Sequence, residues 1–181
     1  KTAARVFAET GFARASMSQV ARDCGISKAN IYHYYDSKDA LLFDILDTYL
    51  LELRNRILLL PLTTMTPAEQ LHAIVAETLH AYDGMDDEHK IQTEGLPLLP
   101  DDQQRILKGY QRDMVAQLSD VIAAVAPQVF AQDRQKLRAT VMSVFGMLNW
   151  FYMWNSGADA TARSQYADLV TKLTLSGVKG L

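Results

Sequence analysis

Lys28, Ala29 and Asn30 lie in a short segment, GISKANIYHYYDSK (25–38), whose side chains suit a flat polar edge and nearby anions. An ammonium donates to paired acceptors, a carboxamide donates and accepts at once, and a methyl group meets another methyl. Behind them Tyr32, His33, Tyr34 and Tyr35 are adjacent. Neighbours on a helix point about 100° apart, so at most two of the four rings can face a core. A helical hairpin built only for packing would space its aromatics three or four positions apart. The first three residues match base edges in the major groove of DNA: Lys to guanine, Asn to adenine, Ala to a thymine methyl. Ser18, Ser27, Tyr32, Tyr34 and Lys38 carry the hydroxyl and ammonium groups that suit phosphates. His33 falls at the groove edge, and Tyr35 is expected to turn inward.

The elements that must position these residues read as helical, with strand signals nearly absent, which predicts an all-α fold. A first helix is expected over 2–10, ended by Gly11 in a left-handed cap, with Val6 and Phe7 inward. The second has Ser18 as N-cap and Val20, Ala21 and Cys24 inward, and ends at Gly25. Ile26 and Ser27 form the turn, and Ser27 caps a third helix from Lys28 to about Tyr34 with Ile31 inward. Helix, short glycine turn, helix is the helix-turn-helix pattern. Ser37 caps a long fourth helix to about Leu59, with Leu41, Leu42, Ile45, Leu46, Tyr49, Leu50 and Leu53 at helical spacing. This helix joins a first domain, 1–46, to a second, 47–181, so the boundary lies inside a helix.

Further helices are expected from Thr66-Pro67, around 86–94, over 101–126, over 133–154 and from about Arg163. Leu71, Ile74, Val75, Leu79 and Tyr82 form one apolar arc, and Glu69, His72, Glu77, His80 and Asp83 lie opposite it. The pairs EQLH (69–72) and ETLH (77–80) have a spacing used by metal-binding bundles, but they share one outward face and read as solvated. DDEH (86–89) reads as a charged loop or helix end. On 101–126 the inward set is Ile106, Leu107, Tyr110, Met114, Leu118, Val121, Ile122 and Val125. On the last helix it is Tyr166, Leu169, Val170, Leu173 and Gly177.

Net charge is −3 and the apolar share 49%, enough for a core. The average conceals an asymmetry. Residues 1–40 carry six Lys/Arg against four Asp/Glu, and the rest twelve against seventeen. One cysteine, Cys24, leaves no internal disulfide, and residues 1–15 lack a signal-peptide core, which points to the cytoplasm. The run 141–154 is too short to span a bilayer. The chain starts inside a helical pattern without Met, so residues are expected before Lys1. No motif for catalysis, a metal or a cofactor is present.

Residues 1–46 resemble the TetR (tetracycline-repressor-like) family of bacterial transcription factors. The resemblance rests on ARVFAETGF (4–12), S-x-x-x-V-A (16–21), CGISKANIYHYY (24–35) and SKDALL (37–42). It implies a three-helix DNA-binding domain followed by a larger helical domain that dimerises and often binds a small molecule. The implied protein is a repressor, a homodimer on a palindromic double-stranded operator, released by a small-molecule effector. Tyr35 departs from the Phe most usual at its position.

Two readings concern the larger domain. From Val141 on, the helix over 133–154 is apolar on nearly every side, more surface than one subunit can cover. The resemblance pairs it and the last helix with a partner copy in a four-helix bundle. An effector pocket would draw on Leu53, Ile57, Leu79, Tyr82, Tyr110, Met114, Phe145, Asn149, Trp150 and Trp154. Asn149 needs a partner in backbone or ligand. L-N-W-x-x-x-W (148–154) is similar to a pattern in family members that sense acyl-CoA thioesters. Arg105, Lys108 and Arg112 would suit the phosphates of such a ligand.

Overall fold

The computed structural model describes residues 1–181, and every regular element in it is helical. In order these are α1 (Thr2–Thr10), α2 (Met17–Asp23), α3 (Lys28–Tyr34), α4 (Lys38–Leu58), α5 (Pro67–Ala81), α6 (Asp86–Gly95), α7 (Asp101–Val125), α8 (Pro127–Phe130), α9 (Arg134–Trp154) and α10 (Ala160–Gly177). Short 3-10 turns occur at Leu96–Leu98 and Val178–Gly180. The all-α expectation is met. The helices pack as two units, one of Lys1–Glu52 with Gly84–Tyr110, the other of Leu53–Asp83 with Gln111–Leu181. The chain passes between them three times: inside α4, between α5 and α6, and inside α7. This is a division by packing, distinct from the division by role expected at 46/47.

In the first unit, α1 buries Ala4, Val6 and Phe7, and Phe12 sets its ring edge-on to Phe7 at 5.2 Å. Gly11 ends α1 with φ 83° and ψ 133°, outside the left-handed helical region expected for the cap, and its N–H donates to Phe7 O. A side chain there would be strained by the positive φ. α2 is capped two residues earlier than expected. Ser16, in extended conformation, accepts from Gln19 N at 3.2 Å, which places Ser18 inside the helix. Ser27 and Ser37 cap α3 and α4 as expected, accepting from Asn30 N and Ala40 N.

α6 belongs to this unit. Its segment 86–89 forms the first turn of the helix, and Glu88 and His89 are buried. Glu88 faces Lys1 Nζ at 3.4 Å, and His89 Nδ1 lies 3.1 Å from the Tyr49 hydroxyl. Lys90 Nζ donates to Ala8 O near the end of α1 at 2.7 Å. A Cβ on Gly95 would come within 2.9 Å of the buried Leu42, so glycine permits the approach of α6 to α4.

In the second unit α5 opens on a capping box. Thr66 and Glu69 bond each other's backbone N–H, with Pro67 in the first turn. The Thr66 hydroxyl, donating to Glu69 Oε2 at 2.7 Å, and then the Thr66 N–H hold the Glu69 carboxyl below its usual range. The arc Leu71, Ile74, Val75, Leu79 and Tyr82 is buried as expected. The opposite face is not simply solvated. His72 Nε2 lies 2.8 Å from Asp168 Oδ1, His80 Nε2 3.2 Å from Ser164 Oγ, and Asp83 3.3 Å from Arg163. Glu77 accepts from Arg56 at 2.6 Å. Local periodicity shows which residues are polar but not the helix they will meet, and here it is mainly α10. Arg163 is buried, donates to Leu79 O and lies over the Phe151 ring.

Five inward expectations are corrected. Cys24 at the end of α2, Ile106 on α7, and Leu169, Leu173 and Gly177 on α10 are exposed. α10 also starts before Arg163, at Ala160, with Asp159 accepting from Ala162 N.

Candidate nucleic-acid interface

α3 is seven residues long and buries Ile31 alone. Lys28, Ala29, Asn30, Tyr32, His33 and Tyr34 are all exposed, Tyr34 at 70% and Tyr32 at 43%. This unit therefore offers solvent a helix whose first turn carries an ammonium, a methyl and a carboxamide. The ring residues follow in the second turn. Lys28 Nζ reaches back over the Tyr32 ring at 5.8 Å, a loose cation–π contact that leaves the ammonium free to turn outward. His33 and Tyr34 stand edge-to-face at 5.2 Å, which stiffens both rings.

The hydroxyls divide by position. Ser27 Oγ already accepts the cap bond from Asn30 N at 3.1 Å, so its own O–H remains available to an acceptor. Ser18 is exposed on α2 and carries no capping duty. Tyr35 is half-buried rather than core. It follows α3 in an extended conformation, and its hydroxyl donates to Asp44 Oδ2 on α4 at 2.7 Å. That bond, with partial burial and the adjacent carboxylate charge, pushes its phenol up to about 12.

Lys38 has a different role from the one its charge suggests. It is half-buried at the start of α4, and Nζ donates to three backbone carbonyls, Phe12 O at 2.6 Å, Ala15 O at 3.0 Å and Ala13 O at 3.2 Å. An ammonium has three N–H groups, and all three are engaged. The cation also sits 4.5 Å from the Phe12 ring centre. Lys38 thus ties the α1–α2 connection to the head of α4, and no donor is left for a phosphate. Sequence shows a lysine beside a recognition segment but not carbonyls more than twenty residues back.

The residues expected around an effector separate. Tyr110 packs in the first unit, where its hydroxyl donates to Asp47 at 3.0 Å, and the other nine lie in the second. Leu53, Ile57, Leu79, Tyr82, Met114 and Phe145 are buried. Asn149 finds its partner in a side chain, since Tyr82 OH donates to its Oδ1 at 2.7 Å. Burial pushes the Tyr82 phenol up and keeps it a neutral donor. Trp150 and Trp154 do not join this set, being 62% and 57% exposed. Arg105, Lys108 and Arg112 are exposed along α7, and Lys108 Nζ donates to Gln104 Oε1 on its own helix. No group of His, Cys, Asp or Glu could hold a metal ion, and no helix is long and apolar enough to cross a membrane.

Two family profiles match the chain. "Bacterial regulatory proteins, tetR family" covers residues 1–45, and "Tetracyclin repressor-like, C-terminal domain" covers residues 64–178. A TetR-family transcriptional regulator from Bordetella parapertussis 12822 is 32% identical, superposes with a TM-score of 0.90, and is matched over 99% of this chain and 93% of its own. The regulator AibR, solved with isovaleryl coenzyme A and operator DNA, is 22% identical with a TM-score of 0.79, over 95% and 93% of the two chains. At that identity the likeness shows the fold alone. An uncharacterized HTH-type transcriptional regulator of Bacillus subtilis (strain 168), YerO, is 42% identical over 50 residues, 28% of this chain. That match spans only 17% of YerO's length.

The Lys38 geometry makes a specific prediction. Lys38→Ala should lower the unfolding free energy by about 1–3 kcal/mol, as expected when a charged donor to three backbone carbonyls, two of them part-buried, is lost. The salt dependence of DNA binding should not change, because no phosphate contact is removed. Denaturant melts and a salt titration of DNA affinity check both halves.

Proposed function

Since the chain belongs to the TetR family of bacterial transcriptional regulators, we propose that it is a ligand-responsive repressor. In this reading a homodimer binds a palindromic operator and is released by a small hydrophobic effector. The observation that carries the proposal is α3, which buries Ile31 alone and leaves Lys28, Ala29 and Asn30 exposed on its first turn. A recognition helix reads base edges with its N-terminal residues, while surrounding groups fix its register on phosphates. Lys28, Ala29 and Asn30 are the base readers. Ser18, Ser27, Tyr32 and Tyr34 hold phosphates, and His33 lies at the groove edge. Residues 1–46 form the DNA-binding domain and 47–181 the ligand-binding and dimerisation domain.

The dimer is supported by what α9 and α10 leave uncovered. Met142, Trp150, Met153 and Trp154 on α9, with Leu169 and Leu173 on α10, are about half exposed or more. Trp and Met are enriched at protein interfaces, and large exposed apolar residues gathered on two helices mark an interaction surface. These two helices are the ones that the family resemblance pairs with a partner copy. Two copies related by a two-fold axis would present their α3 helices to successive major grooves about 34–36 Å apart.

For the effector, the buried set Leu53, Ile57, Leu79, Tyr82, Met114 and Phe145, with the Tyr82–Asn149 bond, supplies apolar walls and one polar pair. An acyl-CoA thioester is the chemistry to try first, given the L-N-W-x-x-x-W pattern and the isovaleryl coenzyme A bound by AibR. An effector releases DNA only if it binds the two half-site spacings with different affinity. α4 runs from one unit into the other and is the element through which such a difference would pass.

Three outcomes are expected. Asn30→Ala relaxes preference at one base pair per half-site by about 1–3 kcal/mol, read by binding to single-base operator variants; an equal loss on every sequence would remove its base-reading role. Trp150→Glu converts the dimer to monomer in sedimentation and weakens operator binding; an unchanged sedimentation coefficient would place the interface elsewhere. A thermal-shift screen of acyl-CoAs finds at least one that raises the melting temperature and lowers operator affinity; stabilisation without release would leave a DNA-binding protein with no inducer of this class.

A further inference from the structure

α3 is held weakly for a helix on which recognition depends. Two turns of helix are marginal by themselves, and one buried side chain fixes position better than it fixes tilt. Ile31 acts as a pivot near the middle of the helix. At the N-terminal end the Ser27 cap bonds within α3 itself and constrains nothing outside it. At the C-terminal end the next side chain, Tyr35, reaches across to the second turn of α4 and donates to Asp44 Oδ2 at 2.7 Å. Tyr35 N–H meanwhile donates to Ile31 O, so this residue is fastened to α3 by its backbone and to α4 by its side chain.

We propose that Tyr35 and Asp44 form a latch that fixes the tilt of α3 against α4, which makes Tyr35 a positioning residue for DNA recognition. The proposal rests on the reading of α3 as the recognition helix. The bond is charge-assisted, short and directional, and such bonds define an angle better than apolar contact does. It is also largely exposed, so it adds little to global stability, because water can replace either partner when the bond is lost. Angular control and stability therefore separate at this site. A Phe ring could occupy the same half-buried place and lack only the hydroxyl that crosses to α4.

The head of α4 is anchored independently. Lys38 binds the carbonyls of Phe12, Ala13 and Ala15, which fixes the α1–α2 connection to the same helix. Asp44 lies six residues further along α4. The latch therefore ties α3 to a helix that is already fastened, and the lever arm from Tyr35 to Lys28 spans the whole of α3. A small angular change at the latch displaces the base-reading turn most.

The test compares Y35F, D44A and the double variant in the full chain. The probes are a duplex recovered by selection from random DNA and an unrelated duplex of the same length. The ratio of the two affinities is the readout, because loss of the Asp44 charge alone would strengthen binding to any DNA. Y35F should lower the ratio about three- to tenfold, in keeping with the loss of one such hydrogen bond. Its melting temperature and affinity for the unrelated duplex should match the unaltered protein. D44A should lower the ratio similarly, and the double variant should lose no more than either single change. A Y35F ratio equal to that of the unaltered protein, or losses that add in the double variant, would overturn the latch. An unaltered protein that does not distinguish the duplexes would overturn the recognition-helix reading and the latch with it, a failure visible before any variant is made.

Discussion

A seven-residue helix cannot hold its own angle, and the first unit is built around that constraint. α3 exposes nearly everything it carries, as its proposed role requires, because groups that meet a nucleic acid cannot also pack a core. It keeps Ile31 as its one buried side chain. Order must then come from outside the helix: a serine cap that fixes where it starts, a glycine turn that sets its approach from α2, and a fastened neighbour beyond it. That neighbour is α4, whose first residue, Lys38, has all three donors on the carbonyls of the α1–α2 connection. The lysine that looks most like a phosphate contact is instead part of the frame that ties the α1–α2 connection to α4.

The second unit solves a different problem. α5 and α10 meet along a seam that is polar on the side expected to face water. Histidines, carboxylates and the buried Arg163 pair across it. That seam consumes polar surface and leaves an apolar face on α9 and α10 without partners in the chain. Phe151 and Tyr166 stack at 4.6 Å, with Trp154 edge-on to both, so part of the exposed tryptophan is already held in place. A face that is apolar and pre-ordered loses little entropy when a second copy covers it.

Much of this was legible in the sequence where the signal is local. The bounds of α3, the caps at Ser27 and Ser37, proline at the start of α5 and the buried arc of α5 all follow from residues within one or two turns of each other. Four adjacent rings make little sense as packing, and that signal points to Lys28, Ala29 and Asn30 as the proposed base readers; all three are exposed on α3. What sequence missed depends on distant partners. Ser16 outranks Ser18 as a cap because of where the chain turns after Gly11. The polar face of α5 reads as solvated because its partners Asp168, Ser164 and Arg163 lie eighty or more positions away. Ile106, Leu169 and Leu173 fit an apolar periodicity that cannot say whether the covering surface lies within the chain. Tyr35 was assigned to the core on the strength of its ring, and its hydroxyl decided otherwise.

The central claim is that the exposed first turn of α3 reads base pairs in a two-fold symmetric arrangement. Selection of bound duplexes from random DNA, followed by sequencing, tests it most directly. A two-fold dimer reading through α3 should enrich an inverted repeat whose half-sites are centred about one helical turn apart, roughly 10 base pairs, with purine contacts at fixed positions in each half. Recovery of unenriched sequence, or of a motif without two-fold symmetry, would contradict it.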